Sequence, residues 1–232
     1  MTNHFQMSDF KGAARRIEDV DLPRIGSRIG VGEDTIHAVI DVESAGSGFD
    51  DQGRPRMLFE PHIFWRRLGP GPERDEAARQ GLAYRRWRPG SYPSDSYPRL
   101  IRAANINGIV AFESASWGMG QIMGFNARMC GFMNAGFMLE AFLEDEAAHL
   151  EAMVEFIVSA GLDDELRRRD WRGFARGYNG PGYEKNGYDT KLAKRYEWWS
   201  KRPDTPWSPD GRTGDALLLA AARWDVPERM VA

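Results

Sequence analysis

Across 232 residues the sequence contains one cysteine, Cys130, which excludes an internal disulfide and any site built from several thiolates. Its neighbours Met129 and Gly131 lie in an apolar stretch, so a buried, inert thiol is expected. The four histidines, His4, His37, His62 and His149, are scattered and form no HExxH motif. His37 and Asp41 stand four apart on a helical stretch and read as a hydrogen-bonded pair rather than half a zinc site. No glycine loop precedes a Lys-Ser or Lys-Thr pair, so neither a metal nor a cofactor is expected. The first residues lack both a basic and an apolar signal region, and no apolar run approaches the roughly 18 residues of a membrane span. The expectation from these absences is a soluble chain made in the cytoplasm without a classical signal peptide. With a net charge of −3 there is no cationic excess of the kind that neutralises a phosphate backbone. The basic runs Arg85-Arg86-Trp87-Arg88 and Arg167-Arg168-Arg169 read first as solvated faces, with an anionic polymer as the alternative partner.

What is present is mostly helical periodicity. Phe10, Ala13, Ala14 and Ile17 give one apolar stripe after Ser8 or Asp9; Leu22, Ile25 and Ile29 give a second, stopped by Gly30 and Gly32. Glu33 and Asp34 favour the start of a third helix, where Ile36, Val39, Ile40 and Glu43 recur at helical spacing before Gly46 and Gly48. A turn at residues 50–53 leads to a short strand over 56–59 that reaches Glu60, and Pro61 opens a helix to Leu68. Residues 69–96 form a long excursion with one short helix near 73–80, an arrangement often used for function. Single helices are expected over 100–112, over 134–158, over 162–178 and over 187–199. Within 134–158 the acids Glu140, Glu144, Asp145, Glu146 and Glu151 read as solvated. A proline-rich segment follows, then a last helix near 215–224. The expected division is a domain over 1–203 and a trailing or packing segment over 204–232.

Three places carry chemistry. Glu43 ends its helix behind Val39, Ile40 and Val42; apolar surroundings raise a carboxyl pKa until it can deliver a proton to a leaving oxygen. The glycines beyond leave room for a bulky sugar, although a polar residue closing a helix explains the position too. In Ser116-Trp117-Gly118-Met119-Gly120-Gln121-Ile122 the glycines permit unusual dihedrals. There Ser116 and Gln121 offer hydrogen bonds and Trp117 an apolar plane; a tight structural turn is the alternative. Tyr178-Asn179 closes a later helix, where Tyr178 is either a site hydroxyl or a core ring.

Taken together, these segments resemble the phage-type N-acetylmuramidase endolysins of the lysozyme-like superfamily, related to goose-type lysozymes and soluble lytic transglycosylases. The matching stretches are Ala38-Val39-Ile40-Asp41-Val42-Glu43-Ser44-Ala45-Gly46-Ser47-Gly48-Phe49, the run from Gly53 through Phe59-Glu60-Pro61-His62 to Phe64, Ser116 to Gly124, and Phe174 to Tyr183. The resemblance covers roughly residues 10–200. It implies a mainly α, α+β lysozyme-like fold: a helical domain with a small β-hairpin or short strands beside the substrate cleft. It also implies cleavage of the β-1,4 bond between N-acetylmuramic acid and N-acetylglucosamine in bacterial peptidoglycan. By the superfamily pattern Glu43 is the general acid, while Gln121-Ile122 and Tyr178-Asn179 lie along the glycan groove, with Ser116 and Trp117 as further candidates for substrate contact. Glu60, after a predicted strand, is the leading second carboxylate; Asp50 and Asp51 are runners-up, and Asp41 points away around the helix.

The resemblance implies a monomer acting on glycan strands, with no nucleic-acid partner, that reaches periplasmic peptidoglycan by export or by release through a holin. Relatives often carry a peptidoglycan-binding module ahead of the catalytic domain; none is expected at that place here, and the 210–215 stretch resembles such a module only faintly. Three alternatives stay open: a lytic transglycosylase that forms 1,6-anhydro-muramic ends, a chitinase-like enzyme, and a non-catalytic peptidoglycan-binding phage structural module.

Overall fold

The computed structural model describes residues 4–44 and 46–209, and the expected helix near 215–224 lies outside them. A 3-10 turn at Met7–Phe10 leads to α1 (Asp21–Ser27), α2 (Glu33–Glu43), β1 (Met57–Phe59), α3 (Pro61–Leu68), α4 (Pro72–Arg79), α5 (Tyr97–Ala104) and α6 (Gly108–Glu113). Then come β2 (Ala115–Trp117), β3 (Ile122–Met123), a 3-10 stretch at Gly124–Cys130, α7 (Ala135–Glu144), α8 (Glu146–Ser159), α9 (Asp163–Arg168), α10 (Trp171–Asn179), α11 (Tyr183–Asn186) and α12 (Tyr188–Trp199). Helices dominate, and one antiparallel sheet of order β1-β2-β3 stands among them, with Phe59 opposite Ala115, Met57 opposite Trp117, and Trp117 opposite Ile122. This is the mainly helical architecture with a few short strands that the sequence leads one to expect.

Helix α2 positions the site. Gly32 enters it in an extended conformation, and the acids Glu33 and Asp34 fall in the first turn, where the helix dipole favours negative charge. Ile36, Val39 and Ile40 form its buried face. The Ser44 N–H and hydroxyl both donate to the Ile40 carbonyl, closing the helix at Glu43. On the other side α12 packs along α2: the Trp199 ring stacks on His37 at 3.6 Å, and its indole N–H donates to Asp41 at 2.9 Å. Arg195 also pairs with Asp41, at 3.1 Å. Each member of the anticipated His37–Asp41 pair is therefore taken up by α12. Beyond α12 the Thr205 N–H donates to Glu33 at 2.6 Å, so the proline-rich segment begins by docking on the start of α2.

Four expected helices are altered, each for a capping or pairing reason. Residues 11–17 are not helical: the N–H groups of Ala14 and Arg15 donate to the carbonyls of Leu143 and Glu144, and the Glu146 N–H donates to Arg15. Gly12 lies so close to the Leu143 carbonyl that a side chain would collide with it. The 100–112 helix is two, because Asn107 caps α6 by accepting from Val110. The 134–158 helix divides at Asp145, which is extended and caps α8 through Ala147. Left-handed Arg169 and the Asp170 cap divide 162–178 into α9 and α10.

Candidate active site

Glu43 occupies the last position of α2 and Asn179 the last position of α10. The Asn179 side-chain amide donates to Glu43 Oε2 at 2.9 Å. Glu43 Oε1, Asn179 Oδ1 and the Tyr178 hydroxyl are all buried without a hydrogen-bond partner among the described residues. These three orphaned polar atoms, gathered on neighbouring residues, depart from the near-complete pairing of buried polar groups, as do single atoms of Glu33, Arg56, His62, Arg74 and Glu165 elsewhere. Burial raises the Glu43 pKa above the ordinary carboxylate value, while the Asn179 hydrogen bond and the positive charge of Lys191 pull it part of the way back. Burial, followed by the nearby Glu43 charge, raises the Tyr178 phenol well above its usual value, so it stays a neutral donor. Its ring is stacked on Phe174 at 5.3 Å and lies edge-on to Phe156 at 5.7 Å.

The β2–β3 turn meets this group from the other side. A side-chain carbon at Gly120 would lie 3.3 Å from the Tyr178 hydroxyl, so glycine leaves that approach open. Gly118 and Gln121 have positive φ, +68° and +46°. Exposed Gln121 builds the turn: its amide donates to the Gly118 carbonyl at 2.9 Å, and its oxygen accepts from the Ser116 hydroxyl at 3.0 Å. Its outer edge lines a cleft of about 550 Å³ together with Asp50, Arg54, Arg56, Asp95 and Tyr97. Glu43, Glu60, Tyr178 and Asn179 are not in that lining. Within the cleft Arg54 is spent: it pairs with Asp50 at 2.7 Å and Asp95 at 3.3 Å and lies over the Tyr97 ring. Although burial opposes it, hydrogen bonding to Arg54 lowers the Asp50 pKa, leaving this runner-up carboxylate ionised and engaged.

Two of the expected groove residues belong to the core. Trp117 is fully buried, its indole N–H donates to the Phe112 carbonyl at 2.9 Å, and it offers no face to a sugar. Ile122, opposite it in the sheet, is 5% exposed. Glu60 lies at the other end of β1 as the residue before α3. Its Oε2 accepts from the Tyr92 hydroxyl and stands 3.2 Å from the His62 ring, while no described residue bonds Oε1. Four residues of extended chain, on the order of 13 Å, separate Glu60 from Arg56, whose carbonyl meets the Gly118 N–H.

Glu146 and His149 organise the site from below and were missed in the sequence, where Glu146 was expected to be solvated. Glu146 is buried and accepts from the N–H groups of Gly48 (2.5 Å) and Ile17 (3.1 Å) as well as from Arg16. His149, wholly buried, accepts from the Met119 N–H at 3.3 Å through Nδ1 and meets the Phe142 carbonyl at 2.8 Å through Nε2. The neutral ring therefore carries its proton on Nε2. Gly48 and Gly118 both press against this ring where a side chain would collide. One helix thus fixes the loop after Glu43 and the turn before Gln121. Spacing held the signal: Glu146, His149, Leu150, Met153 and Ile157 share the buried face of α8.

The family model described as Muramidase, N-acetylmuramidase, matches residues 33–200, from the start of α2 to just beyond α12. The chain belongs to the N-acetylmuramidase family. Membership places it among peptidoglycan hydrolases. The crystal structure of the Burkholderia AP3 phage endolysin is similar to this muramidase-family chain at 37% identity and a TM-score of 0.74, over 81% of this chain and 73% of that one. A comparison with curated proteins found no match. Among the described residues no helix is long and apolar enough to cross a membrane, and no three His, Cys, Asp or Glu side chains gather as a metal site.

Proposed function

We propose that this chain is an endolysin-type N-acetylmuramidase that hydrolyses the β-1,4 bond between N-acetylmuramic acid and N-acetylglucosamine, with Glu43 as general acid. The observation that carries the reading is the asymmetry of the Glu43 carboxyl: Asn179 holds one oxygen while the other is buried and unpartnered. Burial favours the protonated form, and a protonated carboxyl fixed by one oxygen can give its proton to the departing glycosidic oxygen as the bond to C1 breaks. Tyr178 supplies a neutral donor beside it, and the Ser116–Gln121 pair shapes the turn at the cleft.

Glu60 is the candidate base. Its free Oε1 would take a proton from the water that bonds to C1, so that the proton given up by Glu43 is balanced by the one gained at Glu60. The endolysin neighbour supports wall lysis as the setting, with passage to the periplasm provided by a holin or another route.

Mass spectrometry of muropeptides released from purified sacculi tests the reading. Reducing muramic-acid ends carrying the added water are expected. Anhydro-muramic ends would replace it with transglycosylation, peptide-only cleavage would overturn both, and binding without release would leave a non-catalytic module. Severe loss of turnover in Glu60→Gln is expected if Glu60 handles the water; a dispensable Glu60 removes it from the mechanism.

A further inference from the structure

Trp117 is buried and offers no plane to a sugar, yet another aromatic ring stands exposed near Glu60. Trp87 is 57% exposed and flanked by Arg85, Arg86 and Arg88, all exposed as well. Its segment is built rather than loose. The Tyr84 hydroxyl bonds Ser91 at 2.7 Å, the Ser91 hydroxyl donates to the Arg88 carbonyl at 2.8 Å, and Arg88 lies over the Tyr84 ring at 4.3 Å. Arg99 holds the Ser91 carbonyl at 3.1 Å. The Trp87 indole lies beside the Tyr92 phenol, which in turn donates to Glu60. A few residues on, Ser94, Asp95 and Ser96 form a wall of the 550 Å³ cleft. One continuous segment therefore links the exposed indole, the candidate base and the cleft.

We propose that Trp87 with Arg85 and Arg86 is a substrate subsite beside Glu60, reached through the Tyr92 phenol. The indole takes the apolar face of a pyranose of the glycan strand, and the two guanidinium groups take carboxylates of its stem peptides. What distinguishes Trp87 from other exposed apolar side chains is its setting: three exposed arginines flank it, and it stands beside the Tyr92 phenol that donates to Glu60. An amphipathic ring with few rotatable bonds is a low-entropy contact surface, and cations around it complement a substrate that is neutral along the sugar backbone and anionic along its peptides. The inference rests on the muramidase reading for its ligand, but binding separates the two.

Sedimentation with purified sacculi, using Glu43→Gln as the parent so that cleavage does not consume the ligand, is the test. Trp87→Ala in that parent is expected to weaken binding roughly ten-fold, about 1.4 kcal/mol. Trp87→Phe should restore most of it, and Arg85→Gln with Arg86→Gln should reduce the sensitivity of binding to salt. In the active protein Trp87→Ala should raise KM on sacculi by a larger factor than it lowers kcat. Sacculus binding unaltered by Trp87→Ala overturns the subsite. So does a loss confined to vesicles of anionic phospholipid, which would make the patch a membrane contact instead. Cleavage retained by Glu43→Gln would instead be a failure of the acid assignment, whatever Trp87 does.

Discussion

The Asn179 side chain reaches Glu43 across 136 residues of sequence and holds Oε2 at 2.9 Å, leaving Oε1 buried and unpartnered. The same burial that prepares a proton donor also burdens the fold. A carboxyl whose folded pKa is raised contributes stability in its neutral form, below the ordinary value of 4.5, and loses it as pH rises through the raised value.

Glu43→Gln is therefore expected to act in opposite directions on activity and stability. Turnover should fall by on the order of 100- to 10,000-fold, the usual worth of a positioned acid, while the melting temperature at pH 7 rises and the gain disappears at acid pH. Asn179→Ala removes a hydrogen bond that lowers the Glu43 pKa, so the alkaline limb of the pH–rate profile should move to higher pH. Retention of more than a tenth of normal turnover in folded Glu43→Gln, or an alkaline limb that moves down in Asn179→Ala, contradicts this assignment.

His149 sets a separate pH dependence. Burial lowers it from 6.5 to about 4, against the raising influence of the Phe142 carbonyl and of Glu146 and Asp145. The unfolded chain thus binds the extra proton first, and stability should fall as pH drops from 6.5 to 4, by about 3 kcal/mol at 1.36 kcal/mol per unit. Denaturant melts across that window should show the slope, and His149→Leu should lose it along with overall stability. An unchanged slope in the variant would place the dependence elsewhere.

Trp117→Phe distinguishes a core ring from a groove ring. It removes the indole donor from the buried Phe112 carbonyl, a loss of roughly 1–3 kcal/mol, and should lower the melting temperature with KM unchanged. A raised KM without lost stability would return Trp117 to the substrate.

How much of this was legible follows the range of each signal. Helix α2 could be read to its last residue, because the first-turn acids, the Ile36-Val39-Ile40 spacing and the following glycines are all local. The breaks at Asn107, Asp145 and Asp170 were hidden, since a cap residue inside a periodic pattern declares itself only when a neighbouring segment redirects the chain. Trp117 misled because flanking small residues read as an exposed turn, whereas Gly118 is small to admit Phe142 and His149 beneath it. Glu146 misled for the converse reason: an acid on a buried stripe is solvated unless distant backbone donors meet it, and here Gly48 and Ile17 do. Spacing reported the face, and only the fold reported the partners.

Tyr178→Phe offers the cleanest separation of function from structure. Its hydroxyl is buried and bonds no described residue. A buried unpaired polar group destabilises a fold by roughly 1–3 kcal/mol, so deleting this oxygen while keeping the ring against Phe174 and Phe156 should leave the melting temperature unchanged or raise it. A purely structural tyrosine would then show no kinetic effect. If the hydroxyl serves the reacting sugar beside Glu43, kcat should fall in a protein at least as stable as the parent. Full activity in Tyr178→Phe would leave the ring as packing and the orphaned oxygen outside the chemistry.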